Sequence, residues 1–181
     1  MSDKFLNKYR IPSARRPNWD YAWSANYFIT ICTHQKQPFF GEIVNGAMQL
    51  SEIGRIAELE WLKTSDIRPD MNIHLGAFVV MPNHFHAIVT IGENQYNDDR
   101  DAKHGMDFKN AFIPQSKNLS SIMRGFKSAV TIQARSNHAD FAWQTRFHDH
   151  VIRNSESHDT IERYILNNPI NWQEDKFHTA Q

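Results

Sequence analysis

Two histidines separated by one residue, His84 and His86, are the first side chains of this sequence whose spacing suggests chemistry. The β-branched and aromatic residues around them predict a strand, in which residues i and i+2 point to the same face of the sheet. Two imidazoles that stand side by side can chelate a divalent metal ion. The same spacing also fits two polar positions that face solvent, and it recurs in His-Asp-His at 148–150. The spacing alone therefore leaves a metal site and a solvated strand face open.

A tyrosine and an asparagine near the C-terminal end form the second candidate group. Tyr164 and Asn168 lie four residues apart in ERYILNNP, which predicts a helix that ends before Pro169. Residues four apart share one face of a helix, so the phenol and the carboxamide would project toward the same point. A helix that docks through Ile161, Tyr164 and Ile165, with the hydroxyl at the rim, explains the same pattern without any chemistry.

The elements that must position these residues follow from periodicity and turn signals. We predict strands at 27–33, 73–80, 84–91 and 147–153, and helices at 51–63, 119–135 and 156–168, with a small hairpin between 39 and 50. The order β, α, β, β, α, β resembles the split βαβ plan of ferredoxin-like α+β domains. We therefore expect a central antiparallel sheet with helices on one face, and a C-terminal helix that carries Tyr164.

The charge of the chain is balanced but segregated. Its 181 residues include 20 Lys and Arg against 20 Asp and Glu, which argues against a protein that is basic throughout and coats nucleic acid by bulk attraction. Cations nevertheless exceed acids by three at 1–20, four cations and no acid occur at 117–135, and acids exceed cations by three at 93–107. We predict a single domain over 1–181, with a basic N-terminal arm at about 1–22 and an acidic loop insertion at about 93–116.

The cysteine content and the apolar runs bear on where the protein works. One cysteine, Cys32, excludes an intramolecular disulfide and a zinc site built from several cysteines. No run approaches the roughly 20 apolar residues of a membrane span, and the polar first residues lack the apolar region of a signal peptide. We expect a cytoplasmic protein without a membrane partner.

Several segments, taken in order, resemble the single-tyrosine HUH transposases and most of all the REP-associated tyrosine transposases. These segments are NYFITICTHQKQPFFGEI, FVVMPNHFHAIVTI, FKSAVTIQAR, WQTRFHDHVIR and YILNNP, and the resemblance extends roughly from Tyr9 to Trp172. MPNHFHAI followed about 80 residues later by Tyr-x-x-x-Asn-Pro is a specific pairing, whereas either motif alone would be weak.

The resemblance implies a role for each matching residue. His84 and His86 match the two histidines that hold Mg²⁺ or Mn²⁺ beside the scissile phosphate, and Tyr164 matches the nucleophile. Insertion-sequence relatives complete the metal site with a Gln one turn after the tyrosine. Asn168 stands there in this chain, one methylene shorter, and is the expected third ligand. The implied activity is that of a metal-dependent DNA transposase, which cleaves and rejoins single-stranded DNA near hairpins through a 5′-phosphotyrosine intermediate.

The cations and the second histidine pair are the candidate DNA contacts. The implied partner is single-stranded DNA with a hairpin, such as a REP-like element or an insertion-sequence end, and a homodimer and a monomer are both compatible with the family. The resemblance also implies a bacterial protein that is associated with the nucleoid when it is bound to DNA. The expected contacts comprise cations of the arm and of the helix at 119–135, together with the second histidine pair: Arg10, Arg15, Arg16, Arg124, Lys127, Arg135, His148 and His150.

Two other functions fit the same residues. One is a domesticated protein that binds DNA hairpins but does not cut them. The other is a metal-dependent single-strand nuclease in which water attacks the phosphate and Tyr164 only packs.

Overall fold

The computed structural model describes residue 16, residues 19–97 and residues 116–178, together with the backbone of two short strands near the N-terminus. The strands are β1 Lys4–Phe5, β2 Lys8–Tyr9, β3 Ala25–Cys32, β4 Gly41–Val44, β5 Ala47–Leu50, β6 Ile73–Met81, β7 His84–Ile91 and β8 His148–Ile152. The helices are α1 Glu52–Leu62, α2 Leu119–Ala134 and α3 Ser155–Asn167. Most of the predicted arm and of the acidic loop lies outside the described residues, as do Arg10 and Arg15.

Four strands form one antiparallel sheet in the order β6-β7-β3-β8. Helix α1 connects β3 to β6, a tight turn at Pro82 and Asn83 connects β6 to β7, and α2 lies between β7 and β8. The strand order is that of the split βαβ plan, so the predicted α+β class is confirmed. Strands β4 and β5 form the predicted hairpin, where Asn45 and Gly46 adopt the positive φ values, 52° and 75°, that a two-residue turn requires.

The main core lies on one face of the sheet, under α1 and α2. Phe85 of β7 is fully buried there, and its ring centroid lies 5.1 Å from that of Trp61 on α1 and 5.3 Å from that of Phe126 on α2. Both helices begin at polar caps, because the side chains of Ser51 and Asn118 accept hydrogen bonds from main-chain N–H groups of their first turns. This packing places the two crossover helices on one face, as predicted.

Helix α3 covers the opposite face of the sheet. Ile165 packs against Ile88 of β7 and Ile152 of β8 in a smaller apolar cluster. The helix begins after Asn154, whose side chain accepts a hydrogen bond from Ser157 N at 2.8 Å. Because side chains alternate along a strand, the face of β7 that carries Ile88 also carries His84 and His86. The third helix is therefore packed beside the histidine pair.

Candidate active site

The two histidines of β7 form a buried pair. His84 is 0% and His86 is 1% exposed, and their ring centroids are 4.5 Å apart. The middle strand β3 supports them, because Cys32 stands opposite His84 and Thr30 stands opposite His86. The Thr30 hydroxyl lies 2.8 Å from His86 Nδ1, which leaves Nε2 as the ring nitrogen that points toward α3. A solvated strand face is thus excluded for these two residues.

Burial keeps both imidazoles neutral. It lowers the pKa of His84 to about 3 and the pKa of His86 well below the usual value, because a charged imidazolium would lose its hydration. The nearby His84 ring adds to the effect on His86. Each ring therefore keeps one nitrogen lone pair at neutral pH, and a neutral imidazole is the form that binds metal ions.

Tyr164 reaches the histidine pair from the last turns of α3. Its hydroxyl oxygen lies 3.2 Å from His86 Nε2, and the two ring centroids are 5.2 Å apart in an edge-on arrangement. The residue is 38% exposed, so its hydroxyl is at the boundary between the buried pair and solvent. Burial and the negative charge of Asp175 raise the pKa of Tyr164 to about 12, so the phenol is protonated at neutral pH.

Asp175 is the member of the site that sequence analysis missed. After α3 the chain turns back at Pro169, and a short turn at Trp172–Glu174 returns it to the histidines. Asp175 Oδ2 accepts hydrogen bonds from the Tyr164 hydroxyl at 3.2 Å and from Asn168 Nδ2 at 3.0 Å. No sequence motif marks this aspartate, because its proximity to β7 depends on the path of the chain after the helix.

The donor atoms fit a divalent cation. One ligand atom each from His84, His86 and Asp175 lies within 4.8 Å of the others. His84 Nε2 and Asn168 Oδ1 are both buried and find no hydrogen-bond partner within the described part of the chain. Buried polar atoms without partners are costly, and a cation would satisfy both. Two imidazole nitrogens with carboxylate and amide oxygens form a mixed donor set of the kind that suits Mn²⁺.

Comparisons with known proteins support the fold that carries these residues. No family model matches the chain. The structure is similar to that of a REP-associated tyrosine transposase bound to a REP hairpin, with a TM-score of 0.59 and 20% identity, over 92% of this chain and 77% of the other. The chain has the REP-associated tyrosine transposase fold. The resemblance predicted from sequence is therefore confirmed for the fold.

Two further proteins are similar to this chain. A Haemophilus influenzae protein described as uncharacterized is 35% identical over 170 residues, which cover 92% of each chain. The chain belongs to the same family as this Haemophilus protein. A candidate transposase from Deinococcus radiodurans R1 has a TM-score of 0.41 and 14% identity, over 84% of this chain and 97% of the other.

The second histidine pair lies on the same face of the transposase fold as the first. In the register of the sheet, His148 stands opposite Thr30 and His150 opposite Phe28. Thr30 is itself the neighbour of His86, so His86, Thr30 and His148 form a row across three strands. Both His148 and His150 are exposed on the edge strand. They are separate from the candidate metal centre but face the solvent beside it.

The structure does not bring the predicted cations of α2 to the histidine pair. Lys127 donates hydrogen bonds to the main-chain oxygens of Gln144 and Thr145, and burial lowers its pKa. Arg135 Nε donates to Phe141 O at 2.9 Å, and Arg124 is exposed on the same helix. Because α2 packs on the other face of the sheet, these residues lie across the sheet from Tyr164.

Other cations do lie close to the site. Lys36 and Lys176 have their ammonium groups 5.3 Å and 4.9 Å from the ring centroid of Phe177, which in turn lies 4.6 Å from the centroid of His84. Sequence analysis missed both lysines, since neither belongs to a helical or strand pattern. Arg16, the one predicted arm contact within the described residues, stacks its guanidinium 4.9 Å from the centroid of Trp19.

Within the described residues, no helix combines the length and the apolar content that a membrane crossing requires.

Proposed function

We propose that this protein is a metal-dependent DNA strand-transferase, which cleaves and rejoins single-stranded DNA near hairpins through a 5′-phosphotyrosine bond to Tyr164. The observation that supports this function best is the contact of 3.2 Å between the Tyr164 hydroxyl and His86 Nε2. A nucleophile must lie next to the group that stabilises the reacting phosphate, and this pair meets that condition. The transposase of the same fold that was solved with a REP hairpin supports hairpin DNA as the partner.

The proposed metal ligands are His84, His86 and Asp175, with Asn168 Oδ1 as a further oxygen donor. A bound Mg²⁺ or Mn²⁺ ion would neutralise the anionic oxygens of the phosphodiester and favour the phenolate form of the tyrosine. Strand β7 holds the two imidazoles, the end of α3 holds the amide of Asn168, and the segment after the turn at Trp172–Glu174 holds Asp175. The burial of both imidazoles keeps them deprotonated for this task.

The chain's own residues account for the covalent step. Tyr164 Oη forms a bond to the phosphorus, and the bond between phosphorus and the 3′ oxygen of the preceding nucleotide breaks. The phenol proton passes to solvent water, which reaches the half-exposed Tyr164. The departing 3′ oxygen takes a proton from water and becomes a free 3′-hydroxyl. Because the phosphotyrosine is still an ester, a 3′-hydroxyl can reverse the step and rejoin strands without ATP.

The DNA contacts belong to the same proposal. His148 and His150 are exposed beside the site and are the proposed contacts of the strand that enters it. The arm residues Arg10, Arg15 and Arg16 and the α2 cations Arg124, Lys127 and Arg135 stay predictions of contact with the hairpin. Of these, Lys127 fits least well, because its ammonium already binds two main-chain oxygens. Dimerisation and a cytoplasmic location also stay predictions.

A labelled single strand with a hairpin, incubated with the protein and Mn²⁺, tests this function. We expect a covalent protein–DNA adduct on a denaturing gel, which Tyr164→Phe abolishes and the matched control Tyr96→Phe retains. Tyr96 is suitable because its hydroxyl donates to Asp70, and both residues lie at the end of strands β6 and β7 that is far from the histidine pair. Cleavage that survives Tyr164→Phe would identify a nuclease that uses water. Hairpin binding without cleavage would identify a silent binding protein.

A further inference from the structure

Asn83 precedes His84 in the turn between β6 and β7 and is 1% exposed. Its main chain is fixed, because Asn83 O accepts hydrogen bonds from Thr33 N at 2.9 Å and from Thr33 Oγ1 at 3.0 Å. Its side chain lies between His84 and the C-terminal segment 172–178. A buried carboxamide in this position must satisfy both of its ends, and among the described residues each end has one hydrogen-bonding neighbour.

The two neighbours determine which way the carboxamide points. Asn83 Nδ2 donates to the main-chain oxygen of Phe177 at 2.9 Å. A carbonyl oxygen can only accept, so the end of the amide that faces Phe177 must be the nitrogen. The other end is then Oδ1, which lies 2.9 Å from His84 Nδ1. The orientation of the amide thus follows from the position of the Phe177 carbonyl.

The amide orientation in turn determines the tautomer of His84. Asn83 Oδ1 can only accept, so His84 must carry its proton on Nδ1 and keep a lone pair on Nε2. The opposite tautomer would place the lone pairs of Asn83 Oδ1 and His84 Nδ1 against each other at 2.9 Å. Metal-binding histidines commonly have their second nitrogen held in this way.

We propose that Asn83 is a positioning residue, which fixes His84 in the tautomer that binds a cation through Nε2, and that the carbonyl of Phe177 fixes Asn83. The inference rests on the proposed metal site for its purpose, but the tautomer is a property of the metal-free protein. The Asn83 side chain also links the last described segment of the chain to the histidine pair, because it contacts both Phe177 and His84. If Phe177 moves away, the amide loses the contact that sets its orientation.

Nitrogen NMR of the metal-free, ¹⁵N-labelled protein measures the tautomer directly. We expect the Nδ1–H form for His84 in the wild-type protein and a substantial Nε2–H population in Asn83→Leu. Asn83→Asp keeps an oxygen that accepts from Nδ1, so we expect it to retain the Nδ1–H form. Resonances are assigned to His84 by their loss in His84→Gln.

Titration with Mn²⁺, followed by electron paramagnetic resonance, supplies a second readout that requires neither DNA nor turnover. We expect Asn83→Leu to weaken Mn²⁺ binding by about tenfold to a hundredfold, and Asn83→Asp to remain within about threefold of the wild type. Asn97→Leu is the matched control, because Asn97 is also fully buried and donates to main-chain oxygens, including Gly92 at the far end of β7. It should leave the tautomer and the affinity unchanged.

An Nε2–H tautomer in the wild-type protein would overturn the inference, even if Asn83→Leu does not fold. So would a folded Asn83→Leu variant with the wild-type tautomer and Mn²⁺ affinity. The proposed function fails separately, by the absence of a Tyr164 adduct while the tautomer and the Mn²⁺ affinities are as expected.

Discussion

The ionisation of Tyr164 offers a quantitative test of the site, because a phenol must lose its proton to attack a phosphate. The pKa of Tyr164 is raised to about 12, first by burial and then by the charge and hydrogen bond of Asp175. A raised pKa means that the neutral form persists to higher pH. At pH 8 about one molecule in ten thousand carries the phenolate, against about one in a hundred for an ordinary tyrosine with a pKa of about 10.

Replacing Asp175 by Asn removes the negative charge while keeping the size of the side chain. We expect the pKa of Tyr164 to fall below about 12 but to stay above about 10, because burial, the largest cause, remains. The phenolate fraction at a given pH should then rise by a factor of up to about a hundred. The same variant should bind Mn²⁺ more weakly, because the charged oxygen donor is lost.

The assay is ultraviolet titration of tyrosinate in the metal-free protein. The chain has five tyrosines, so the Tyr164 signal is the difference between each protein and its Tyr164→Phe counterpart. Glu174→Gln is the matched control, since it removes a neighbouring exposed carboxylate that has no hydrogen bond to the tyrosine in the described structure. A Tyr164 pKa that stays at or above the wild-type value in Asp175→Asn would refute the assigned role of Asp175.

Four further substitutions separate the roles of the site and the scaffold. His84→Ala should weaken Mn²⁺ binding by at least about tenfold, whereas His148→Ala, which removes an exposed imidazole on the same face, should not; calorimetric titration of both variants checks this. Phe85→Ala should lower the free energy of unfolding by about 3–5 kcal/mol, because a fully buried ring is lost, and a change below about 1 kcal/mol in urea unfolding would contradict the packing. Asn154→Ala removes the cap of α3 and should cost about 1 kcal/mol in the same measurement.

Local periodicity was sufficient to predict the part of the site that lies on regular elements. Strand alternation placed His84 and His86 on one face, and helical spacing placed Tyr164 and Asn168 together, as the structure has them. The turn signal at Asn45 likewise predicted the small hairpin. Each of these inferences depends on residues within about five positions of one another, where the backbone geometry alone fixes which side chains are neighbours.

Long-range placement could not be predicted in this way. Asp175, Lys36 and Lys176 lie in segments without periodicity, and only the reversal of the chain after Pro169 brings the last segment to β7. Helical spacing likewise separated the apolar face of α2 from its exposed face, but it could not tell on which side of the sheet the helix packs. The position of Lys127 relative to the histidine pair therefore could not be predicted from the sequence, and its contact with DNA stays a prediction.

Strand β7 presents alternate side chains to two different environments, and this has a consequence for how the sequence can vary. Phe85, Ala87 and Val89 face the main core, whereas His84 and His86 face the candidate active site. Saturation mutagenesis of residues 84–91, scored separately for abundance of the folded protein and for DNA cleavage, should give two profiles with a period of two residues. In the first part of the strand, the abundance profile should be most sensitive at Phe85 and Ala87, and the cleavage profile at His84 and His86.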